Sequence, residues 1–462
     1  MLGADQHRSA RESLAIIGGG MMGIAAAVNL AKSGRFQVTL FEKEHYLGGL
    51  SSFYQWQDLI WDRFYHVILS TDTSLLEFLT ELQLQQEIFW RATKSGFYSE
   101  DKLVSFSSAL DFLTFPFMSL WQKFRMGLGI LYCARLKNPA TLDKIYVRHW
   151  LTKVFGRRVY EQIWEPLLRS KLGAAREKTS AAFIWATITR LYSARSAGSH
   201  REQMGHVHGG YDTILTAAAK KLAELGVTVV TNAPVSKLES EQTQLPESNR
   251  YKALIRMSTP AGAAEFDKVL LTIPCQEVLQ ILGPVTEHPY WRRLRQVEYL
   301  SIACVFLVLT RQLSPYYLIN LLDRDLPFTG IIEPTNIVAP EALGGRHLVY
   351  LPKYMPADDP VNILNDHQII AMFVEKLKKV FPDLKNEEIL HTRIFREKYV
   401  QPLQELNYSD RMLDFRTPLP GVYLVNTSMI YNSTLNNNAA VALAAKAAKF
   451  ILNDALSETE HD

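Results

Sequence analysis

Residues 14–52 read LAIIGGGMMGIAAAVNLAKSGRFQVTLFEKEHYLGGLSS, and this stretch decides the fold. The short apolar run at 14–17 predicts a buried parallel strand, and the glycines after it fit the pattern G-x-G-x-x-G. Helical composition continues to Lys32, and residues 37–41 predict a second strand that ends at Glu42. This order of strand, glycine turn, helix and strand is typical of a dinucleotide-binding unit.

Each glycine of the turn has a physical role. Gly18 permits the tight turn, Gly20 lets the backbone approach a pyrophosphate, and Gly23 lets the helix pack on the strand. The helix N-terminus offers unpaired N–H groups and partial positive charge to the phosphates. Met22, where the predicted helix begins, is counted with these glycines as a cofactor-binding candidate.

Glu42 lies 19 residues after Gly23. At that distance a carboxylate accepts hydrogen bonds from the diol of a nucleotide ribose. Its neighbour Lys43 is a second candidate contact. The spacing therefore predicts that the ribose of a bound dinucleotide lies at the end of the second strand.

A second glycine pair follows in the segment LGGLSS at 47–52. Here the sequence resembles the FAD-binding superfamily of amine oxidases, phytoene-type desaturases, protoporphyrinogen oxidases and UDP-galactopyranose mutases. In that superfamily a G-G-x-x-S/T segment lies along the pyrophosphate and ribityl chain. The resemblance implies FAD as the cofactor and Gly48, Gly49, Leu50 and Ser51 as contacts. Leucines stand where relatives often have arginines, so phosphate neutralisation must come from elsewhere.

Three later blocks, at 205–238, 265–275 and 420–453, resemble the superfamily in the same order. The resemblance implies that the backbone of Val235 meets the adenine and that Asn426 contacts the ribityl chain. It also implies that Asn437 begins a helix whose N-terminus points at the flavin pyrimidine, where reduced flavin carries negative charge. Val425-Asn426 departs from the usual glycine-aspartate.

The predicted fold class is α/β. A chain of 462 residues, 47% of them hydrophobic, is long enough for two or three domains. We expect a discontinuous Rossmann-like FAD-binding domain, a substrate domain of antiparallel sheet, and a helical insertion. The predicted ranges are a disordered N-terminus at 1–12, the FAD-binding domain at 13–66, 201–284 and 399–455, the helical cap at 67–200 and the substrate domain at 285–398.

Bulk properties exclude several classes of protein. The net charge of +3 is too small to argue for a nucleic-acid partner. The three cysteines are scattered and odd in number, which predicts a reduced, cytoplasmic protein without a metal site. No apolar run reaches the length needed to cross a bilayer.

The resemblance implies an FAD-dependent oxidoreductase that transfers hydride between an organic substrate and the flavin. The alternative is a non-redox flavoenzyme of the UDP-galactopyranose mutase kind, acting on a nucleotide-sugar. His66, in a segment that relatives bring past the flavin ring, is either an acid–base catalyst or a structural histidine. Tyr65 beside it is a further catalytic candidate. Tyr399 either walls the flavin or packs in the core.

Basic residues bear on the choice of chemistry. Many amine-oxidase relatives have a lysine in the first strand of the substrate domain, but residues 299–309 contain none. Lys353, in a later strand, could substitute. A mutase needs paired arginines on a pyrophosphate, and the candidates are Arg63, Arg169, Arg176 and Arg195.

Two segments have two interpretations each. Residues 110–136 are rich in leucine and aromatic residues, with Lys123, Arg125 and Arg135 among them. They form either an ordinary cap-domain core or a peripheral membrane surface whose cations meet anionic headgroups, which suits a lipid-like substrate. The segment GIIEPTN at 330–336 is either a plain turn or a group of polar residues that line a pocket.

Overall fold

A computed structural model describes residues 11–136, 139–196, 203–244, 251–285 and 287–460. The strands are β1 (Glu12–Ile17), β2 (Phe36–Phe41), β3 (Phe53–Trp56), β4 (Leu59–Asp62), β5 (Ile88–Ala92), β6 (Ser95–Ser99), β7 (Lys102–Ser105), β8 (Gln203–Val207), β9 (Thr228–Val230), β10 (Lys237–Gln244), β11 (Tyr251–Thr259), β12 (Gly262–Phe266), β13 (Lys268–Leu271), β14 (Tyr299–Leu309), β15 (Leu318–Leu321), β16 (Gly330–Ile332), β17 (His347–Met355), β18 (Ile389–Pro402) and β19 (Val422–Leu424). The α-helices are α1 (Met21–Lys32), α2 (Thr73–Glu81), α3 (Ala109–Thr114), α4 (Leu120–Arg135), α5 (Val147–Phe155), α6 (Arg157–Val159), α7 (Glu165–Leu172), α8 (Ala181–Ser196), α9 (Gly210–Glu224), α10 (Cys275–Leu282), α11 (Pro289–Arg295), α12 (Asp366–Val380) and α13 (Asn437–Glu460), with a π-helical turn at Tyr160–Trp164.

A parallel five-stranded sheet carries the nucleotide-binding half, in the order β19-β13-β1-β2-β9. Its central strand β1 is apolar because both faces are covered by helices. Helices α1 and α13 pack against each other on this sheet. The predicted α/β class is confirmed, and strands β1 and β2 lie where the sequence places them.

A seven-stranded sheet forms the second half, in the order β18-β14-β17-β16-β15-β6-β7. Its neighbouring strands are antiparallel except for the parallel pair β6 and β15. Strands β6 and β7 come from the range 67–200, where the sequence predicts a helical cap. Side chains of β14 alternate, so Ala303 and Val305 face α12 while Ile302 and Phe306 face the β3–β4 hairpin.

Helices α4 to α8 surround a third apolar core. Trp150, Phe155 and Ile163 are among its buried residues. At the other end of the chain, residues 1–10 lie outside the described residues, so most of the predicted disordered N-terminus has no structural account. Glu12, which the sequence also assigns to that terminus, is the first residue of β1. Among the helices of the described ranges, none combines the length and the apolar character needed to cross a bilayer.

Candidate active site

The turn between β1 and α1 has the geometry that its glycines predict. Gly18 has φ +109°, a conformation that side chains rarely adopt. A Cβ on Gly23 would lie 1.9 Å from the Gly18 carbonyl oxygen, so the third glycine is required for the helix to pack on the strand. A Cβ on Gly20 would meet no described atom within 4 Å. The turn therefore leaves open space at the N-terminus of α1, where phosphates bind.

Glu42 is the buried acid at the end of β2, with 7% of its surface exposed. Its carboxylate accepts hydrogen bonds from the Gly19 amide at 2.6 Å and the Glu44 amide at 3.0 Å. Burial raises the pKa of Glu42, although the hydrogen bonds from Glu44 and Gly19 act in the opposite direction. Two amides hold the carboxylate beside the glycine turn, as a ribose-binding acid requires.

The second glycine pair lies directly against the first turn. Gly48 pairs with Gly20 as a parallel bridge, and a Cβ on Gly49 would lie 3.2 Å from the Gly20 Cα. Ser51 Oγ donates to Asn437 Oδ1 at 3.1 Å, and Asn437 Nδ2 donates to the Tyr211 hydroxyl at 2.6 Å. The fold thus joins the segment of the glycine pair to the first residue of α13. The two side chains that make this contact, Ser51 and Asn437, are both cofactor-binding candidates from the sequence.

The other cofactor candidates lie in different environments. Asn426 is buried, its Oδ1 accepts from the amide and hydroxyl of Ser428, and its Nδ2 donates to the Ile273 carbonyl at 2.9 Å. Lys43 is half exposed and pairs with Glu277 at 3.0 Å. The remaining candidates differ in burial, since Met22 is buried within α1, Val235 is half-buried beside the core of the parallel sheet, and Leu50 is half-buried on the aromatic face of the seven-stranded sheet.

The three predicted catalytic residues fall into two groups. His66 Nδ1 is 2.9 Å from the Phe64 carbonyl, and its ring lies 4.6 Å from the ring of Tyr211. Burial lowers the pKa of His66, which favours the neutral imidazole near pH 7. The Tyr65 hydroxyl lies 3.2 Å from that of Tyr354. His66 therefore lies beside Tyr211, whereas Tyr65 lies against Tyr350 and Tyr354 of the seven-stranded sheet.

Tyr399 belongs to the second group. Its ring contacts that of Tyr299 edge-on, with 5.8 Å between ring centroids. The Tyr299 hydroxyl donates to Cys275 Sγ at 3.5 Å, and Asn426 Nδ2 donates to the same sulfur at 3.4 Å. Tyr399 is thus linked through aromatic and polar contacts to the end of β19.

Three of the basic residues that the sequence offers for catalysis or pyrophosphate binding form ion pairs with carboxylates of the protein. Lys353 faces away from the Tyr354 side of β17 and pairs with Asp359 at 3.1 Å. Arg169 and Arg176 approach the same carboxylate, Glu165, at 2.8 and 3.6 Å. The side chain of Arg195 lies outside the described residues.

Arg63 has contacts near the glycine pair. Its Nη1 donates to the Tyr46 hydroxyl at 2.9 Å and to Ser52 Oγ at 3.2 Å. Its Nη2 pairs with Glu397 at 3.1 Å. Arg63 is therefore a cation held next to the G-G-x-x-S segment. In this segment leucines stand where the resemblance leads one to expect arginines.

Sequence reasoning missed two residues that organise this site. Tyr211 opens α9, and its ring and hydroxyl join His66 to Asn437. Asp62 Oδ1 accepts from the Tyr211 amide at 2.8 Å and so fixes the start of that helix. In the sequence, Tyr211 follows the glycine pair Gly209-Gly210, but nothing in the spacing relates it to Asp62, 149 residues earlier.

The residues present fit a flavin adenine dinucleotide. The open space at Gly20, the buried Glu42 and the glycine pair against the first turn together form a site that fits a dinucleotide, which places the protein in the class of dinucleotide-binding proteins. Residues 21–448 match the family described as flavin containing amine oxidoreductase. The chain belongs to this family and is an FAD-dependent oxidoreductase. No curated protein matches the sequence.

Solved structures show the same fold at low sequence identity. A protein of Exiguobacterium sp. 255-15, provisionally assigned as a protoporphyrinogen oxidase, is similar with TM-score 0.73 and 18% identity, over 96% of this chain and 99% of that one. Cyclohexylamine oxidase from Brevibacterium oxydans IH-35A is similar with TM-score 0.68 and 14% sequence identity, over 96% of this chain and 99% of that one. Reduced UDP-galactopyranose mutase is similar with TM-score 0.71 and 15% sequence identity, over 97% of each chain.

Proposed function

We propose that the protein transfers hydride between FAD and a bulky, apolar, lipid-like substrate. The observation that supports this proposal is the composition of the sheet face next to the glycine pair. Leu50 packs against this face, and so does the β3–β4 hairpin. The face is built from Ile302, Cys304, Phe306, Leu348, Tyr350, Tyr354 and Phe395. All of these side chains except Tyr354 are buried in the protein. The half-buried Tyr354 and Leu50 are therefore the groups of this cluster that an apolar substrate would contact.

Polar groups on this face already have partners within the protein. The Tyr350 hydroxyl donates to the Asp62 carbonyl oxygen, and the Tyr65 and Tyr354 hydroxyls pair with each other. Burial raises the pKa of Tyr65 well above its usual value, so Tyr65 stays a neutral phenol. A neutral phenol pair at the edge of an apolar face can orient one substrate oxygen or nitrogen without demanding a charged substrate.

Mutase chemistry is less well supported by the arginines. Arg169 and Arg176 share Glu165, which neutralises part of the charge that a pyrophosphate would need. Arg63 stands on a different element and pairs with Glu397. The described arginine candidates therefore do not form a free pair.

Two further features belong to this proposal. A lipid-like substrate resides in membranes, so we expect peripheral membrane contact. The three cysteines, Cys133, Cys275 and Cys304, are buried and free, which fits a reducing compartment such as the cytoplasm.

Anaerobic reduction of the flavin tests the proposal. The purified protein is mixed without oxygen with protoporphyrinogen, a polyprenyl alcohol or putrescine, and loss of the oxidised flavin absorbance is followed. We expect bleaching by an apolar compound and none by the small diamine. Bleaching by putrescine alone would contradict the apolar substrate. Conversion of UDP-galactopyranose by chemically reduced enzyme alone would establish the mutase alternative.

A variant pair tests the role of the phenols. Tyr354→Phe removes one hydroxyl of the Tyr65–Tyr354 pair and should slow flavin reduction about fivefold, since one hydrogen bond contributes about 1 kcal/mol. Tyr146→Phe, on the half-exposed Tyr146 just before α5, is the matched control and should leave the rate unchanged. Both variants should retain FAD. Equal rates for the two variants would exclude the phenol pair from substrate binding.

A further inference from the structure

Helices α3 and α4 concentrate the exposed apolar surface of the molecule. Of the thirteen large hydrophobic side chains that are exposed within the described residues, eight belong to these two helices. They form the α3–α4 patch, which consists of Leu110, Leu113, Leu120, Trp121, Phe124, Leu128, Leu131 and Tyr132. Trp121 is 70% exposed and Leu120 75%. A contiguous apolar surface of this kind marks an interaction site.

The outward side of α4 is apolar, and its buried side includes one charged residue. Its buried side contains Lys123, only 6% exposed, together with Met126 and Cys133. The Lys123 ammonium donates to the Leu113 carbonyl at 2.5 Å, which ties α4 to the end of α3. The lysine is satisfied by this hydrogen bond, so it does not draw the outward side toward the protein. An exposed stripe of leucine, tryptophan and phenylalanine is unfavourable in water, which favours an apolar cover on the outward side.

Arg125 also differs from the expectation that it meets lipid headgroups. Its Nη2 donates to the Lys153 carbonyl at 2.9 Å and its Nε to the Val154 carbonyl at 3.2 Å. In the membrane interpretation of this segment, Lys123 and Arg125 meet lipid headgroups, whereas in the structure both donate to backbone carbonyls of the protein. They instead fasten α4 to its neighbours, so the apolar side chains are held outward by the protein's own hydrogen bonds.

Positive charge is concentrated in the part of the chain that carries the patch. Residues 107–162 contain nine lysines and arginines against three acidic residues, a net charge of +6, whereas the whole chain carries +3. Lys153, Arg157 and Arg158 are exposed, and Arg157 also pairs with the exposed Glu161 at 2.7 Å. They border the start of α4, because the Gln122 amide donates to Gln162 at 2.9 Å and Arg125 reaches the Lys153 carbonyl.

We propose that the α3–α4 patch inserts into the surface of an anionic bilayer, with this border of cations at the headgroups. A second copy of the chain is disfavoured as the occupant, because two patches with the same positive border would repel. The inference develops the membrane contact of the proposed function. It names the surface and the lipid charge, and it needs neither a substrate nor turnover of the flavin.

Vesicle flotation of the full-length, FAD-loaded protein tests the inference. The probes are vesicles of phosphatidylcholine mixed with phosphatidylglycerol, and vesicles of phosphatidylcholine alone. The wild type should float with the anionic vesicles. The double variant Trp121→Glu with Phe124→Glu should reduce the floating fraction by about tenfold or more, because two inserting side chains are lost.

Two matched controls separate location from general surface change. Ile363→Glu with Leu390→Glu replaces two exposed apolar side chains outside the patch and should float like the wild type. Arg157→Gln with Arg158→Gln should weaken binding to anionic vesicles, whereas Arg292→Gln with Arg295→Gln on α11 should not. Flavin absorbance and thermal melting confirm that each variant is folded.

Three outcomes would overturn the inference. Wild-type protein that never floats at low salt, or a control that loses binding as the patch variant does, would exclude the α3–α4 patch as a membrane surface. A dimer that the patch variant converts to monomer, without vesicle binding, would assign the patch to a second copy. Flavin reduction by an apolar substrate in detergent, with flotation lost, would leave the proposed function standing and remove this inference alone.

Discussion

Two buried carboxylates, one in each half of the molecule, follow strands and accept backbone hydrogen bonds. Glu42 follows β2 of the parallel sheet and is 7% exposed, and Glu333 follows β16 of the seven-stranded sheet and is 1% exposed. Burial raises the pKa of both groups. Their surroundings differ, because Glu42 lies beside the open space at Gly20 whereas Glu333 is enclosed by its own loop.

The enclosure of Glu333 gives it a structural role. Its carboxylate accepts from the amides of Leu313 and Ser314 and from the Ser314 hydroxyl. Asn336 extends the same network by donating to the Ser314 and Tyr316 carbonyls. Glu333 therefore braces the turn before β15. The comparison shows that a buried acid is a ligand site only where open space adjoins it.

The strongest test of this contrast is at the glycines that create the space. Gly20→Val should abolish FAD binding, a loss of about 4 kcal/mol or more, because the side chain would occupy the place of the pyrophosphate. The apoprotein should still fold, since a Cβ at Gly20 contacts no described atom within 4 Å. The measurements are flavin absorbance of the purified protein and thermal melting of the apoprotein.

Gly23→Val is the matched control for that variant. Its Cβ would lie 1.9 Å from the Gly18 carbonyl oxygen, so the variant should be destabilised even without cofactor. Yellow Gly20→Val protein would contradict the assignment of the open space to the pyrophosphate. Equal melting temperatures for the two apoproteins would show that the turn tolerates side chains at both positions.

The cofactor half was predictable from the sequence to a degree that the rest was not. Backbone geometry at Gly18 and close approach at Gly23 exclude side chains, so the residue type itself reports the structure. The sequence does not indicate that the side chain of Lys123 points into the protein, because a helical pattern of apolar and charged residues does not determine which side of the helix is buried. The partnership of Tyr211 with Asp62 joins distant segments and is invisible to local spacing.

The second prediction concerns Glu333 and the pH dependence of folding. Burial raises the pKa of Glu333 to about 7 from an ordinary value of 4.5. A raised folded-state pKa stabilises the protein fully below pH 4.5, and this contribution is lost as the pH rises through about 7. The total is about 3 kcal/mol, because one pKa unit corresponds to about 1.4 kcal/mol.

Glu333→Gln, which mimics the protonated acid, isolates this contribution. Denaturant unfolding from pH 4 to 8 should show wild-type stability falling relative to the variant, by about 3 kcal/mol in total, and then no further change at higher pH. FAD binding should be unaffected at pH 6. A constant difference across the range would mean that the pKa of Glu333 is not raised in the folded protein.

The smallest expected effect is at the other carboxylate. Glu42→Gln keeps the shape of the side chain but removes its charge, and should weaken FAD binding by about 1.5–3 kcal/mol, because hydrogen bonds from a ribose diol to a carboxylate are charge-assisted. Because burial raises the pKa of Glu42, wild-type affinity should fall as the pH is lowered through that pKa, and the affinity of the variant should not.

Lys43→Gln is the control, since Lys43 is half exposed and pairs with Glu277. Titration of apoprotein with FAD, followed by quenching of flavin fluorescence, measures all three proteins. If Lys43→Gln weakened binding as much as Glu42→Gln, general surface charge would account for both effects, and the contrast between Glu42 and Glu333 would lose its basis.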